Sequence, residues 1–176
     1  MLHGDPPDRE FGMSDEKFSE ANREQLSGAG LRTFINLARL WELSKEAQAY
    51  MVCAASERVY SSWCQTALNE ESLVLSTSTL MRISAAIGAY GDLRVLYGSD
   101  ERGLAWLRRP NDDKMFQGAA PMDFLLSGDI ERMLDVRRAL ALQLFSYDGP
   151  SFGALLMSAP DEIPDRNDTP HDYKEF

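Results

Sequence analysis

TLMRISAAIGAYGDLRVLY, residues 79–97, is the stretch that decides the fold. Leu80, Ile83, Ala86, Ile87, Tyr90, Leu93, Leu96 and Tyr97 recur three and four residues apart, the period of an α-helix. Thr77 or Ser78 is placed to open that helix. Gly98 reads as its stop and Ser99 as the next start. An apolar stripe this broad needs cover from other elements. Upstream, Leu31, Phe34, Ile35, Ala38 and Trp41 keep the same period. Ser44 caps a helix over about 45–53 that buries Ala47, Tyr50 and Met51. After a break at Ala54-Ala55, Ser56 caps another over about 57–68, carrying Val59, Tyr60 and Trp63. Two short helices joined by a tight turn after a longer one outline a helix-turn-helix.

Farther from that centre, residues 1–13 are rich in Pro, Gly and charge and read as a flexible leader. Ser14 caps a short polar helix over about 15–27 that Gly28 and Gly30 would end. Downstream, a helix over about 100–108 carries Leu104, Trp106 and Leu107 and must stop before Pro110. Asn111 to Ala120 is a loop. Pro121 starts a helical turn closed by Ser127-Gly128, where Gly supplies positive φ and Asp129 caps the next helix. That last helix, about 129–145, buries Ile130, Met133, Leu134, Leu140 and Leu144. From Tyr147 the composition turns to prolines and acids around one apolar patch, Phe152 to Met157, an extended tail with an anchoring segment. Nothing alternates like a strand, so the fold class is all-α.

Composition narrows the function. Hydrophobic residues make up 44% and charged residues 26%, which suits a globular chain with a core. No apolar run reaches a membrane span, and the first residues lack a signal-peptide pattern, so a cytoplasmic protein is expected. The net charge of −10 repels nucleic acid on average and favours a protein partner. Residues 147–176 carry half of it, seven acids against two bases. Cys53 and Cys64 have no metal-ligand spacing and read as free and buried. His3 and His171 sit near opposite ends, so no core-held histidine supports a hydrolase. Gly28-Ala29-Gly30 follows a helix and not a strand, which removes a phosphate loop. No cofactor, no metal and no enzymatic activity are expected.

Three pieces in order then carry a resemblance. They are Trp106-Leu107-Arg108-Arg109-Pro110-Asn111, then Pro121 to Ile130 (PMDFLLSGDI), then Val136-Arg137-Arg138-Ala139-Leu140. Together they look like the toxin-binding domain of the MbcA/ParS/Xre antitoxin family. Leu31 to Leu80 resembles the Xre-like helix-turn-helix of the same proteins, and the whole resemblance covers about residues 30–145. It implies a leader and short helix over 1–29, a helix-turn-helix domain over 30–78, a toxin-binding domain over 79–146 and an acidic tail over 147–176. It implies the antitoxin of a type II toxin–antitoxin pair, ParS-like. The partner would be a cognate RES-type toxin of ADP-ribosyltransferase-like fold, silenced by covering its NAD site. A homodimer within the toxin–antitoxin complex and binding of operator DNA are further implications, and repression of its own operon is the alternative function.

The candidate toxin-binding residues are Trp106, Arg108, Arg109, Arg137, Arg138, Tyr147, Phe152, Leu155 and Leu156. Trp and Arg concentrate at interface hot spots, though a Trp at helical spacing also suits a core and arginines at a helix end also suit its dipole. The acidic tail suits an NAD site, which holds pyrophosphate with basic groups. The candidate DNA-binding residues are Arg58, Ser61, Ser62 and Gln65 on the expected recognition helix. Arg58 is the single base there, beside Glu57. Leu31–Leu80 holds four bases against five acids, a poor footprint for phosphate.

Overall fold

The computed structural model describes residues 19–146. Within them the chain forms α1 (Glu20–Leu40), α2 (Lys45–Met51), α3 (Glu57–Leu68), α4 (Thr77–Tyr97), α5 (Asp100–Arg108), α6 (Pro121–Leu125) and α7 (Ile130–Phe145). No strand occurs among the described residues, so the protein is all-α.

Short polar side chains start most of these helices. Ser44, Ser56, Ser76 and Ser99 each accept from the backbone N–H three residues on, and Asp129 accepts from Glu131 N at 2.9 Å. Each such cap stabilises its helix by about 1 kcal/mol. The opening of α4 falls at Ser76, one or two residues before the expected cap. Gly98 ends α4 in the left-handed region at φ 71°, which a glycine enters without a Cβ clash.

α4 is the central helix, and α1 and α7 run parallel to it on either side. Beside α1, the Ser27 hydroxyl accepts from Leu75 N at 2.9 Å. A Cβ on Gly30 would lie 3.7 Å from Ile83. At the far ends Leu40 and Trp41 border the same small cavity as Tyr90 and Leu93. Beside α7, Arg82 Nε donates to Gly128 O at 2.9 Å, and Tyr97 donates to Gln143 Oε1 at 3.0 Å. α2–α3 and α5–α6 are the return crossings between these long helices. The core is continuous through α4, from Leu31, Phe34 and Tyr60 to Leu107, Leu125, Met133 and Leu140.

The expectation that Gly28 and Gly30 end a short helix is overturned: both lie inside the continuous α1. Each glycine costs a helix about 1 kcal/mol against Ala. The turn is held by tertiary contacts on both sides of it. The Ser27 hydroxyl is buried between Arg23 O and Leu75 N, and Leu31 and Phe34 are fully buried one turn on. Tyr50, expected to be buried, is 62% exposed, and Gln48 takes the interior place. Gln48 manages this because both ends of its amide are satisfied. It donates to Leu43 O at 2.7 Å and accepts from the Tyr60 hydroxyl at 2.9 Å. Burial pushes the Tyr60 phenol far above its usual range. Of the cysteines only Cys64 is buried. Cys53 sits at positive φ in the α2–α3 turn, and its thiol reaches Gly128 O at 3.3 Å. The expected burial of Ile130, Leu134 and Leu144 is partial, with Val136 and Ala139 filling the α7 core beside Met133 and Leu140.

Candidate functional site

Four aromatic rings hold the second half of the fold together. Tyr97 lies against Trp106, with centroids 6.3 Å apart. Trp106 meets Phe116 edge-on at 6.1 Å, and Phe116 meets Phe124 edge-on at 5.1 Å. Arg132 of α7 lies over the Phe124 ring at 4.3 Å. Edge-to-face pairs of this kind add about 0.5–1.5 kcal/mol each beyond area burial. The ladder therefore ties α4, α5, the 110–120 loop, α6 and α7 into one unit.

The loop is ordered by its own turns. Asn111 Oδ1 accepts from Asp113 N, and Asp113 Oδ1 accepts from Met115 N, both at 3.0 Å. Asn111 and the Gly118–Ala119 pair exchange backbone hydrogen bonds at 2.9 and 3.2 Å, closing the loop on itself. Gln117 and Gly118 both take positive φ there. Phe116 plugs the loop into the core with 1% exposure. The Asp123 carboxylate accepts from Ala120 N at 3.3 Å and sets the start of α6.

The predicted toxin-binding residues that lie among the described ones fall into three placements. Trp106 is half-buried within the ladder. Arg108 is tied inward: one guanidinium nitrogen donates to Trp41 O at 2.9 Å and lies 2.9 Å from Glu42 Oε2. It thereby fastens the end of α5 to the end of α1. Arg109, the residue capping α5, is exposed. Arg137 lies flat on α4. Its Nε is 2.9 Å from Asp92 Oδ2, and a Cβ on Gly88 would fall 1.3 Å from its Nη1. Glycine at 88 is what makes room for that guanidinium. The contact is ionic and poorly aligned, because both facing atoms are buried without a hydrogen-bond partner. Burial raises the Asp92 carboxyl above the usual carboxylate range, and Arg137 offsets only part of that rise. Arg138 is on the outside, bonded to Asp135 at 2.6 Å and Glu131 at 3.3 Å. Tyr147, Phe152, Leu155 and Leu156 lie outside the described residues.

On the other half, Arg58, Ser62 and Gln65 are exposed together on one face of α3, with Ser61 half-buried beside them. Exposed Glu57 shares the first turn of that helix. No group of three or more His, Cys, Asp or Glu able to hold a metal occurs among the described residues, and no described helix is long and apolar enough to cross a membrane.

Several contributors were missed by sequence reasoning. Phe116 had one available signal, a lone aromatic in a polar loop. Leu142 and Phe145 had another: both fall off the apolar stripe of α7 and so had to face outward. They are 66% and 93% exposed. The service of Gly88 to Arg137 had no sequence signal, since it depends on how α7 lies across α4.

Residues 92–141 match the model of the antitoxin Xre/MbcA/ParS C-terminal toxin-binding domain. That segment runs from the Asp92 end of α4 through the aromatic ladder to α7, and the Arg137–Asp92 pair joins its two ends. The chain is also 30% identical over 115 residues to a Sinorhizobium fredii (strain NBRC 101917 / NGR234) protein named "Uncharacterized protein y4oB". The match covers 65% of this chain and 84% of that protein. No solved structure matches the chain. The fold and the matched segment define a helical toxin-binding protein. Over residues 92–141 the chain carries the toxin-binding domain of the Xre/MbcA/ParS antitoxin family.

Proposed function

We propose that this antitoxin neutralises a RES-type, NAD-consuming toxin by direct binding that blocks the toxin's NAD site, as one half of a type II pair. The observation that carries this reading is the toxin-binding match over residues 92–141. Residues 79–146 are the toxin-binding part, and residues 30–78 a helix-turn-helix part. The last helix and the tail from Tyr147 onward lie across the NAD pocket, with Phe152, Leu155 and Leu156 as apolar anchors and tail acids toward basic toxin groups. Arg109 and Arg138 flank this contact from the domain. Burying one such side chain stabilises a complex by about 1.5–3 kcal/mol, and the acids add mainly steering and specificity.

The test is co-expression with the product of an adjacent gene whose expression alone arrests growth. Rescue of growth together with co-purification supports the reading; persistent growth arrest with no complex contradicts it. A second reading, operator binding within a homodimeric complex, is favoured by the shared exposed face of Arg58, Ser62 and Gln65. Weak salt-sensitive binding is expected of that face, because one arginine neutralises few phosphates.

A further inference from the structure

We infer that the outer face of the last turns of α7, centred on Leu142 and Phe145, is an apolar docking surface for the toxin. This rests on the toxin-binding reading above and goes beyond it by placing an anchor on the folded domain.

One face of α7 carries exposed Glu131, half-buried Asp135, and exposed Arg138, Leu142 and Phe145, spaced four, three, four and three apart. Its first half is charged but internally satisfied, since Arg138 bonds both Glu131 and Asp135. Its second half is apolar, with Leu142 66% and Phe145 93% exposed. The inner face of the helix has no need of them, because Met133, Val136, Ala139 and Leu140 already fill the core. Two large apolar side chains held in water on a rigid helix are a cost to the free protein, which burial against a partner removes.

The toxin is the occupant because of continuity. The toxin-binding match ends at residue 141, within α7, and the same helix carries the patch into its next turn. A second copy fits less well. A Leu and a Phe bury on the order of 300 Å², well under the roughly 800 Å² per partner of a stable interface. A patch of this size acts as an anchor inside a larger contact, and the rest of the toxin-binding domain supplies it.

The experiment compares full-length wild type, Leu142→Ser/Phe145→Ser, and Leu68→Ser as a control, in titrations against purified toxin. Leu68, 60% exposed on α3, has the same chemistry on another face. The expected result is toxin affinity weakened about a hundredfold in the double variant, no change in Leu68→Ser, and unchanged helical content and melting temperature in both. Equal affinity of the double variant and wild type overturns the inference. So does a fall in melting temperature at unchanged toxin affinity, which would make a segment of this chain the occupant. A shift from dimer to monomer at unchanged affinity would make it a second copy. Absence of any wild-type complex fails the toxin reading itself, a different result from a complex indifferent to the two substitutions.

Discussion

Gly88→Ala should destabilise this protein, although Gly→Ala in the middle of a helix ordinarily stabilises. The added methyl would sit 1.3 Å from Arg137 Nη1 and 2.5 Å from its Cζ, so the guanidinium must leave. Because the obstructing group is the end of a flexible side chain, 36% exposed, the steric cost itself is small. The loss is the ion pair with Asp92, whose side chain is 18% exposed and is left in a desolvated place. Breaking a fully buried pair costs about 3–5 kcal/mol. Partial exposure of Arg137, and the freedom of Asp92 to take up a proton, bring this to about 2 kcal/mol. Better helix propensity returns about 1 kcal/mol. The net loss is about 1 kcal/mol, a fall of about 3 °C in Tm for a chain of this length. Gly91 is the internal control. A Cβ there meets nothing within 4 Å, so Gly91→Ala should gain up to about 1 kcal/mol. Thermal and urea unfolding of both variants measures the contrast. Removing the guanidinium should reverse the sign: in an Arg137→Ala background, Gly88→Ala becomes stabilising. If Gly88→Ala and Gly91→Ala behave alike in the wild-type background, the placement of Arg137 on α4 is wrong.

Three further outcomes follow from particular residues. Burial raises the Asp92 carboxyl in the fold, so its contribution to stability is complete at acid pH and is lost as pH rises through that raised value. The stability of Asp92→Asn relative to wild type should therefore increase from about pH 4 to neutrality in urea melts, and a flat or opposite trend contradicts the assignment. Cys53 is exposed and Cys64 buried, so thiol titration of the native protein should read one fast equivalent, lost in Cys53→Ser; two fast equivalents would mean that α3 does not turn Cys64 into the core. Arg58→Ala, on the exposed face of α3, should abolish what duplex DNA binding exists while leaving toxin neutralisation intact, and gel shifts beside growth rescue separate the two.

Much of the fold was legible because it is written in local signals. Ser44, Ser56 and Ser99 each precede an apolar period, so α2, α3 and α5 begin where their caps stand. α1 was misread because Gly28 and Gly30 are breakers locally, while their retention depends on Leu75 and Ile83, some 50 residues away in the chain. Tyr50 and Gln48 were exchanged for a similar reason. A polar side chain goes inside only when partners such as Tyr60 and Leu43 satisfy it. In the candidate site the same division holds. Residue types suggested which arginines to suspect, but only the packing separates Arg108 and Arg137, each tied to a neighbouring helix end or face, from Arg109 on the open surface. The outward Leu142 and Phe145 were visible as apolar residues off the buried stripe, and the rule that apolar residues turn inward concealed them.

The central claim is that this antitoxin and NAD compete for one place on the toxin. It is tested by titrating full-length antitoxin into toxin pre-bound to a non-hydrolysable NAD analogue carrying a fluorophore. The account predicts complete displacement of the analogue at one equivalent of antitoxin per toxin site, and an apparent antitoxin affinity that falls in proportion to analogue concentration. A stable ternary complex, with the analogue still bound and antitoxin affinity independent of it, would contradict the account.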